Sequence, residues 1–193
     1  MSADRALILA AGSSKRMGEQ KLLLPFGEGS IITSVLHHVL RSRVNSVHLI
    51  LGADQDRIRE EVNSLPVNIC YNPDHRSGML SSVICGWRSL PEETGGVLIF
   101  LGDQPHIPPE VSNAILEAYH RSRYGIVVPR FGYRKGHPLL VDYRYKEEIE
   151  RLDPKVGLRS LMQRFPEDVL ELDMEEPGIL LDIDTPDDYK NAI

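Results

Sequence analysis

The sequence is poor in cysteine and has no excess of positive charge. Its two cysteines, Cys70 and Cys85, lack the spacing of a metal site and lie in apolar stretches. We therefore expect buried free thiols and a cytoplasmic protein. The formal charge is −6, from 22 lysines and arginines against 28 acidic residues, which gives no support to a nucleic acid or an anionic membrane as partner.

Long apolar runs are also missing. No segment approaches the roughly 20 apolar residues that a membrane-spanning helix needs, so no membrane partner is expected. At the N-terminus, Asp4 and Arg5 precede an apolar run of only six residues, which is not a signal-peptide pattern. With no repeat, low-complexity run or linker in 193 residues, we expect one domain over residues 1–193.

Two common glycine-loop motifs are absent as well. A P-loop requires Gly-x4-Gly-Lys-Ser/Thr, whereas five residues separate Gly12 from Gly18 and no Gly-Lys-Ser follows. The Gly-x-Gly-x-x-Gly pattern of dinucleotide-binding folds does not occur either. These absences exclude the two most frequent explanations of a glycine-containing loop.

The N-terminal stretch nevertheless has the composition of an anion site. Residues 6–11 predict a strand buried on both faces, which breaks at Gly12 into a polar loop. Glycine allows a ligand close to the backbone, and successive N–H groups beside cations favour a polyphosphate. The cations of this loop are Lys15, Arg16 and Lys21. The alternative is an ordinary strand-to-helix connection with solvated cations.

Strands and helices alternate along most of the chain, which favours a parallel sheet covered by helices. Strands are predicted at residues 6–11, 47–51, 67–71, 97–101, 125–129, 169–172 and 179–181. Helices are predicted at residues 31–41, 54–63, 79–90, 108–123, 145–151 and 158–164, and from Pro186 onwards. Between them, residues 131–138 predict a basic loop and residues 139–141 form a short apolar run.

Two aspartates follow predicted strands at the edge where such sheets bind ligands. Asp103 comes after residues 97–101, and Asp184 comes after residues 179–181. Their carboxylates suit Mg²⁺ held jointly by protein and substrate phosphates. The alternatives are a turn-forming role for Asp103 and a helix cap for Asp184, and Asp182 is the rival of Asp184 as second ligand.

The stretch LAAGSSKRMGEQKLLLP at residues 9–25 closely resembles the signature of the MobA-like nucleotidyltransferases. Within that family it is similar to the molybdenum cofactor cytidylyltransferase branch, which includes accessory proteins of xanthine dehydrogenase. Four further segments resemble family motifs: residues 77–82 (SGMLSS), 102–105 (GDQP), 136–138 (GHP) and 182–186 (DIDTP). The resemblance thus covers nearly the whole chain.

The resemblance implies a fold, a reaction and a set of site residues. The fold is a three-layer α/β Rossmann-like nucleotidyltransferase domain (GT-A-like) with a mostly parallel sheet. The reaction is transfer of CMP from CTP to molybdopterin with release of pyrophosphate, and the product serves a xanthine-dehydrogenase-type molybdoenzyme through possible transient contact. The implied nucleotide-binding residues are Leu9, Ala10, Ala11, Gly12, Ser13, Lys21, Gly78 and Ser82. The implied catalytic residues are Arg16, Lys21 and Asp103, the Mg²⁺ ligands are Asp103 and Asp184, and Gly136 and His137 lie on the acceptor side.

Several alternatives stay open at this point. Gln104 stands where this branch commonly has a methionine, so the identity of the acceptor substrate is not fixed by the resemblance. A sugar- or alditol-phosphate nucleotidyltransferase and a non-catalytic cofactor-binding chaperone are the other functions considered. His137 is expected to be structural or to contact the acceptor, because an attacking phosphate needs no deprotonation. Arg134 and Lys135 either meet an anionic acceptor or belong to a solvated loop.

Overall fold

The computed structural model describes residues 3–14 and 16–193, so that Lys15, one of the cations of the predicted anion site, lies outside the described residues. The strands are β1 (Ala3–Ala10), β2 (Pro25–Phe26), β3 (Gly29–Ser30), β4 (Ser46–Leu51), β5 (Asn68–Tyr71), β6 (Thr94–Leu101), β7 (Ile126–Phe131), β8 (Arg134–Lys135), β9 (Leu139–Asp142) and β10 (Val169–Asp173). The helices are α1 (Ile31–Leu40), α2 (Gln55–Glu61), α3 (Met79–Arg88), α4 (Pro109–Arg121), α5 (Lys146–Glu150), α6 (Arg159–Arg164) and α7 (Pro186–Ala192).

One eight-stranded sheet forms the centre, in the order β10-β7-β9-β6-β1-β4-β5, with β8 paired to β7. Strand β1 pairs in parallel with β4 and β6, β4 with β5, and β7 with β10. Only β9 in this row runs antiparallel to its neighbours β6 and β7. Because β9 reverses between them, β6 and β7 share a direction, and their carboxyl ends lie at the same edge as that of β1.

The core lies on both faces of the sheet, since successive side chains of a strand point to opposite faces. On one face Ile8 of β1 belongs to a cluster with residues of α1 and α4, and on the other Leu7 joins a cluster with residues of α3 and α5. Both β1 side chains are fully buried. The three-layer, mostly parallel α/β fold predicted from the sequence is therefore confirmed.

The strand predicted at residues 179–181 is wrong. This segment forms a 3₁₀ turn, Pro177–Leu180, followed by irregular chain up to the start of α7. Pro177 cannot donate to a strand ladder, and Gly178 packs so closely that a Cβ there would lie 2.8 Å from the carbonyl oxygen of His106. Ile179 is apolar because it is fully buried in the core, not because it belongs to the sheet.

The basic loop predicted at residues 131–138 contains a hairpin instead. Its two strands are β7 and β8, which pair through Arg130 with Lys135 and Phe131 with Arg134. Gly132 lies in the turn with a φ of +59°, which is easily adopted only by glycine. The hairpin extends from the carboxyl edge of the sheet, two strands away from β6.

The two cysteines are free thiols, as expected. They are only half-buried, whereas the sequence predicted full burial. Their sulfur atoms lie 3.3 Å apart, between β5 and α3. Burial, together with the neighbouring Cys70, raises the pKa of the Cys85 thiol to about 12. Across the described chain, no helix combines the length and apolarity required to cross a membrane.

Candidate active site

A cleft of about 870 Å³ opens at the carboxyl edge of the sheet, above the ends of β1 and β6. All eight residues predicted to bind nucleotide line this cleft, together with Arg16, Asp103 and Asp184. Segments that are far apart in the chain thus meet around one space. That these residues bind a nucleotide stays a prediction.

The cleft contains a compact charged cluster. The Lys21 Nζ atom lies 2.5 Å from Asp103 Oδ2 and 2.7 Å from Asp184 Oδ1, so that it bridges the two carboxylates. Arg16 Nη1 lies 2.9 Å from the other oxygen of Asp184, with 73% of its side chain exposed. Lys21 therefore contacts both acids, whereas Arg16 contacts Asp184 and remains open to a ligand.

The pKa values of this cluster follow from its geometry. Burial alone would lower the pKa of Lys21, but the carboxylates of Asp103 and Asp184 outweigh it and raise the pKa. The hydrogen bond from Lys21, with the added charge of Arg16, lowers the pKa of Asp184. At neutral pH, Lys21 is therefore protonated and Asp184 is ionised.

The loop after β1 is held in shape by Gln20. The Gln20 side chain is buried, and its Nε2 donates to the Gly12 carbonyl at 3.2 Å and to Asp54 Oδ2 at 3.3 Å. Its Oε1 accepts from the Ser14 hydroxyl at 2.7 Å, and Ser14 has the unusual φ of +48°. A Cβ at Gly12 would have no neighbour within 4 Å, so a ligand can approach this backbone closely.

The two alanines at the end of β1 point in different directions. The Ala11 methyl lies beside Gly52, where a Cβ would come within 2.8 Å of it, and it remains 6% exposed. The Ala10 methyl lies on the opposite side, near Gly102, and belongs to the core cluster of α1. Ala11 is therefore the alanine whose removal would most enlarge this wall of the cleft.

The opposite wall is the N-terminal end of α3. Gly78 immediately precedes the helix with a φ of +101°, and a Cβ there would have open space around it. Only its backbone conformation therefore requires glycine. Ser82, one turn into the helix, is buried, and its Oγ accepts a hydrogen bond from Asn72 Nδ2 at 3.0 Å.

The carboxylates fit a divalent cation shared with a ligand. Asp103 Oδ1 is buried without a hydrogen-bond partner among residues 3–14 and 16–193, which leaves a lone pair available beside the cleft. No group of three or more His, Cys, Asp or Glu side chains suited to a metal occurs in the described part of the chain. A cation here would thus take the remaining ligands from phosphate oxygens and water, as Mg²⁺ commonly does.

The structure distinguishes Asp184 from its rival, Asp182. Asp184 lines the cleft and contacts Lys21, whereas Asp182 accepts a hydrogen bond from Gln104 Nε2 at 2.5 Å and lies outside the cleft lining. The cap of α7 is Thr185, which forms a reciprocal capping box with Asp188. Asp184 is therefore not needed as the helix cap and remains free for the cleft.

Gly136 and His137 lie near the carboxyl edge but do not line the cleft. A Cβ at Gly136 would lie 2.5 Å from the Ile179 carbonyl oxygen, so glycine is required for this close contact. His137 Nδ1 lies 3.3 Å from the Ile99 carbonyl, and burial lowers the pKa of this imidazole. His137 is thus neutral at pH 7 and donates a hydrogen bond to β6, which is a structural contact.

The two cations of β8 differ in their pairing. Lys135 Nζ lies 2.7 Å from Glu171 Oε1, so its charge is compensated. Arg134 is exposed and has no ion pair with any residue that the structure describes. Of these two cations, Arg134 is therefore the one available to an anionic acceptor.

Sequence reasoning missed several residues at the cleft. Gln20 was an unassigned position of the loop motif, and His75 and Arg76 were assigned only to a turn, although all three line the cleft. For His75 and Arg76 the available signal was their position, three and two residues before Gly78. The burial of Gln20 has no signature in the sequence.

Comparison with known proteins agrees with this arrangement. The chain is 29% identical over 194 residues to the molybdenum cofactor cytidylyltransferase of Escherichia coli strain K12, covering 100% of this chain and 96% of that protein. It is 26% identical over 187 residues to the nicotine blue oxidoreductase of Paenarthrobacter nicotinovorans, covering 93% of this chain and 91% of that protein.

A solved structure of Rv0371c from Mycobacterium tuberculosis H37Rv superposes with a TM-score of 0.84 at 24% identity, covering 98% of this chain and 97% of that one. A second structure of Rv0371c, in complex with manganese, gives a TM-score of 0.78 at 22% identity and covers 99% and 98%. The sequence profile described as the MobA-like NTP transferase domain matches residues 6–169. This match covers most of the sheet and the cleft, and the chain therefore belongs to the MobA-like NTP transferase family.

Proposed function

We propose that this protein is a divalent-metal-dependent cytidylyltransferase that transfers CMP from CTP to molybdopterin. The observation that carries the proposal is the charged cluster of Lys21, Asp103 and Asp184 in the same cleft as the open backbone at Gly12. A nucleoside triphosphate needs both features, one for its phosphates and one for the cation that accompanies them.

In this reaction a phosphate oxygen of the acceptor attacks the α-phosphorus of CTP. The bond to the β-phosphate oxygen breaks, and pyrophosphate leaves with the electron pair. Arg16 and Lys21 would bind the triphosphate and offset its charge, while the backbone around Gly12 would hold it in place. Mg²⁺, held by Asp103 and Asp184, would stabilise charge on the phosphates. The attacking oxygen is already anionic, so no residue has to act as a general base.

The comparisons support the choice of nucleotide and acceptor. The Escherichia coli relative, similar over 96% of its length, is a molybdenum cofactor cytidylyltransferase. This chain carries Leu-Ala-Ala-Gly at residues 9–12, which in the resembling family tends to accompany CTP use. The manganese complex of Rv0371c supports a divalent cation in proteins of this fold.

A relative named as an oxidoreductase shows that similarity at this level does not by itself fix the reaction. The charged cluster favours transfer, because two carboxylates and two cations around one cleft suit phosphates and a divalent cation. A chaperone that merely bound the cofactor would not require this cluster. A sugar- or alditol-phosphate acceptor is the remaining alternative, and it differs only in the second substrate.

We also propose that residues 1–193 act as a single domain in the cytoplasm, where a transient contact would deliver the product to a molybdoenzyme of the xanthine dehydrogenase type. The free thiols of Cys70 and Cys85 support a reducing compartment.

Pyrophosphate release with each of the four NTPs, with and without molybdopterin, tests the proposal. We expect release that requires CTP, molybdopterin and Mg²⁺ or Mn²⁺, and that stops when EDTA is added. Molybdopterin binding without pyrophosphate release would favour the chaperone. Release only with a sugar or alditol phosphate would identify the other transferase. Absence of release with every NTP and acceptor would contradict the proposed function.

A further inference from the structure

Asn72, which directly follows β5, has a buried carboxamide whose orientation is fixed by its surroundings. The side chain is 2% exposed, and its Oδ1 accepts a hydrogen bond from the Asp74 backbone N–H at 2.9 Å. Because an N–H can only donate, the oxygen must face Asp74 and the nitrogen must face the other way. The Nδ2 group accordingly donates to Ser81 Oγ at 2.9 Å and to Ser82 Oγ at 3.0 Å.

The two serines use their own protons differently. The Ser81 hydroxyl has two carbonyl acceptors, Asp74 at 3.0 Å and Gly78 at 2.8 Å, and it does not line the cleft. Ser82 lines the cleft, and its oxygen already accepts from Asn72. No acceptor for the Ser82 proton is found among residues 3–14 and 16–193. A buried hydroxyl with this pattern presents a hydrogen-bond donor to whatever fills the cleft.

We infer that Asn72 is a positioning residue for base selection: it fixes the Ser82 hydroxyl as a donor, and this donor selects cytosine. The inference rests on the proposed function and deepens it. Cytosine has an acceptor at N3, where uracil has an N3–H donor and guanine has an N1–H donor. A fixed hydroxyl donor can form a hydrogen bond with N3 of cytosine. With uracil or guanine, the same hydroxyl would face a second donor and no hydrogen bond would form. Discrimination between CTP and UTP, which are alike in size, cannot come from the volume of the cleft.

The substitution Asn72→Asp should turn the Ser82 hydroxyl from a donor into an acceptor towards the cleft, almost without a change in side-chain shape. At pH 8 the carboxylate only accepts hydrogen bonds, so it keeps the Asp74 contact and takes the protons of both serines. The Ser82 oxygen then presents lone pairs to the cleft. Calorimetric titration of CTP and UTP with Mg²⁺ measures the outcome. For the wild type we expect CTP to bind about tenfold more tightly than UTP, the size of one net hydrogen bond. For Asn72→Asp we expect this ratio to be lost or inverted.

Two further variants keep the test decisive. Ser82→Ala removes the donor without adding charge, and it should abolish the preference for CTP over UTP without inverting it. This variant still tests the donor if Asn72→Asp does not fold. Ser81→Ala removes the other serine bound by Asn72 and should leave the CTP-to-UTP ratio unchanged, since Ser81 lies outside the cleft lining. A purely structural role of Asn72 would lower the affinity for both nucleotides and leave their ratio intact.

Failure of this inference can be told apart from failure of the proposed function. A wild type that binds both pyrimidine nucleotides equally, or a CTP-to-UTP ratio unchanged in either Asn72→Asp or Ser82→Ala, would overturn the inference while pyrophosphate release could still occur. Conversely, a protein that binds CTP selectively through Ser82 but releases no pyrophosphate would retain the inference and lose the transferase proposal.

Discussion

At the scale of single residues, Lys21 is the cation that links the two cleft aspartates. Its ammonium bridges the two carboxylates that we assign to the metal. The lysine therefore offsets the mutual repulsion of the two carboxylates. In the proposed reaction, a divalent cation held by the two acids would compete with this ammonium, and Lys21 would then pair with the phosphates.

Replacing Asp103 by asparagine tests the metal assignment. The side chain keeps its shape but loses the charge that would bind the cation, so we expect turnover to fall about a hundredfold or more. Steady-state pyrophosphate release at ordinary Mg²⁺ measures this. Asp56→Asn is a matched control, because Asp56 is exposed on α2 and pairs only with Arg59. Near-normal turnover of Asp103→Asn would remove Asp103 from the site.

The two cleft cations are tested by Arg16→Ala and Lys21→Ala. Each variant should weaken CTP binding or slow transfer, because each removes a positive charge from the proposed triphosphate site. Neither cation has another obvious partner within the described part of the loop, and both lie against Asp184, which is outside it. Calorimetry with CTP and Mg²⁺ gives the affinity, and Arg59→Ala on α2 serves as the control. Unchanged affinity and rate for both cleft variants would show that the loop does not hold the phosphates.

Ala11→Gly tests which base the cleft admits by size. The Ala11 methyl lies between the loop and Gly52, and its removal would open this wall towards a purine. A difference of one methyl group is worth about 1–3 kcal/mol, so the preference for CTP over GTP should be weakened and activity should remain. Competition between CTP and GTP at equal concentration measures the ratio. Use of GTP as readily as CTP by the wild type would refute the cytidylyltransferase assignment.

At the scale of elements, the turn after β9 is tied to the start of β10. Arg144 and Tyr145, in the 3₁₀ turn Tyr143–Tyr145, both donate hydrogen bonds to Asp168. Partial burial would raise the pKa of Asp168, but these two hydrogen bonds outweigh it and lower the pKa. The contact stabilises a segment that joins the antiparallel strand to the edge of the sheet.

Asp168→Asn should therefore lower the free energy of unfolding at pH 7 by about 1–2 kcal/mol. Because the folded pKa is depressed, this stabilisation is present above the unfolded pKa of about 3.9 and is lost as the pH falls through the folded value. The difference in the free energy of unfolding between wild type and variant should therefore be smaller at pH 3 than at pH 7. Urea unfolding at pH 7 and at pH 3 measures it. Asp173→Asn, with 75% of the side chain exposed, should change little. An equal difference at both pH values would contradict the role of ionised Asp168.

Elements with a strong periodic pattern were predictable, and those set by contacts far apart in the chain were not. Apart from the two-residue strands β2 and β3, the strands and helices up to α4 were recognised because each carries its own apolar spacing. Ile179 misled the prediction, because an apolar residue in a 3₁₀ turn and one in a strand look alike in sequence. The hairpin of β7 and β8 was missed, since its strands are short and polar. The motifs identified the cleft residues, but the buried contacts of Gln20 and Asn72 depend on the fold.

At the scale of the whole molecule, the carboxyl edge of the sheet divides into two halves. In one half, the loop after β1 with Ala11 and the start of α3 with Ser82 form the two walls between which we place the nucleotide. The ends of β6 and β7 and the beginning of β9 form the other half, with Asp103 at the boundary. The reversal of β9 brings Gly136 and His137 to this edge, although a parallel strand would have placed them at the opposite one. In the proposed reaction, the nucleotide and the acceptor would therefore lie side by side at one edge of the sheet.

Arg134 and Lys135 allow this division to be tested, because they are adjacent in one hairpin and differ in pairing. Arg134→Ala removes an exposed cation that has no ion pair among the described residues, so we expect KM for an anionic acceptor to rise severalfold. KM for CTP should stay unchanged, since Arg134 lies outside the cleft lining. Lys135→Ala is the matched control, because Glu171 already neutralises Lys135, and it should change the acceptor KM less. Equal increases in both KM values would contradict a separate acceptor half, and no change in either would leave Arg134 as part of a solvated hairpin.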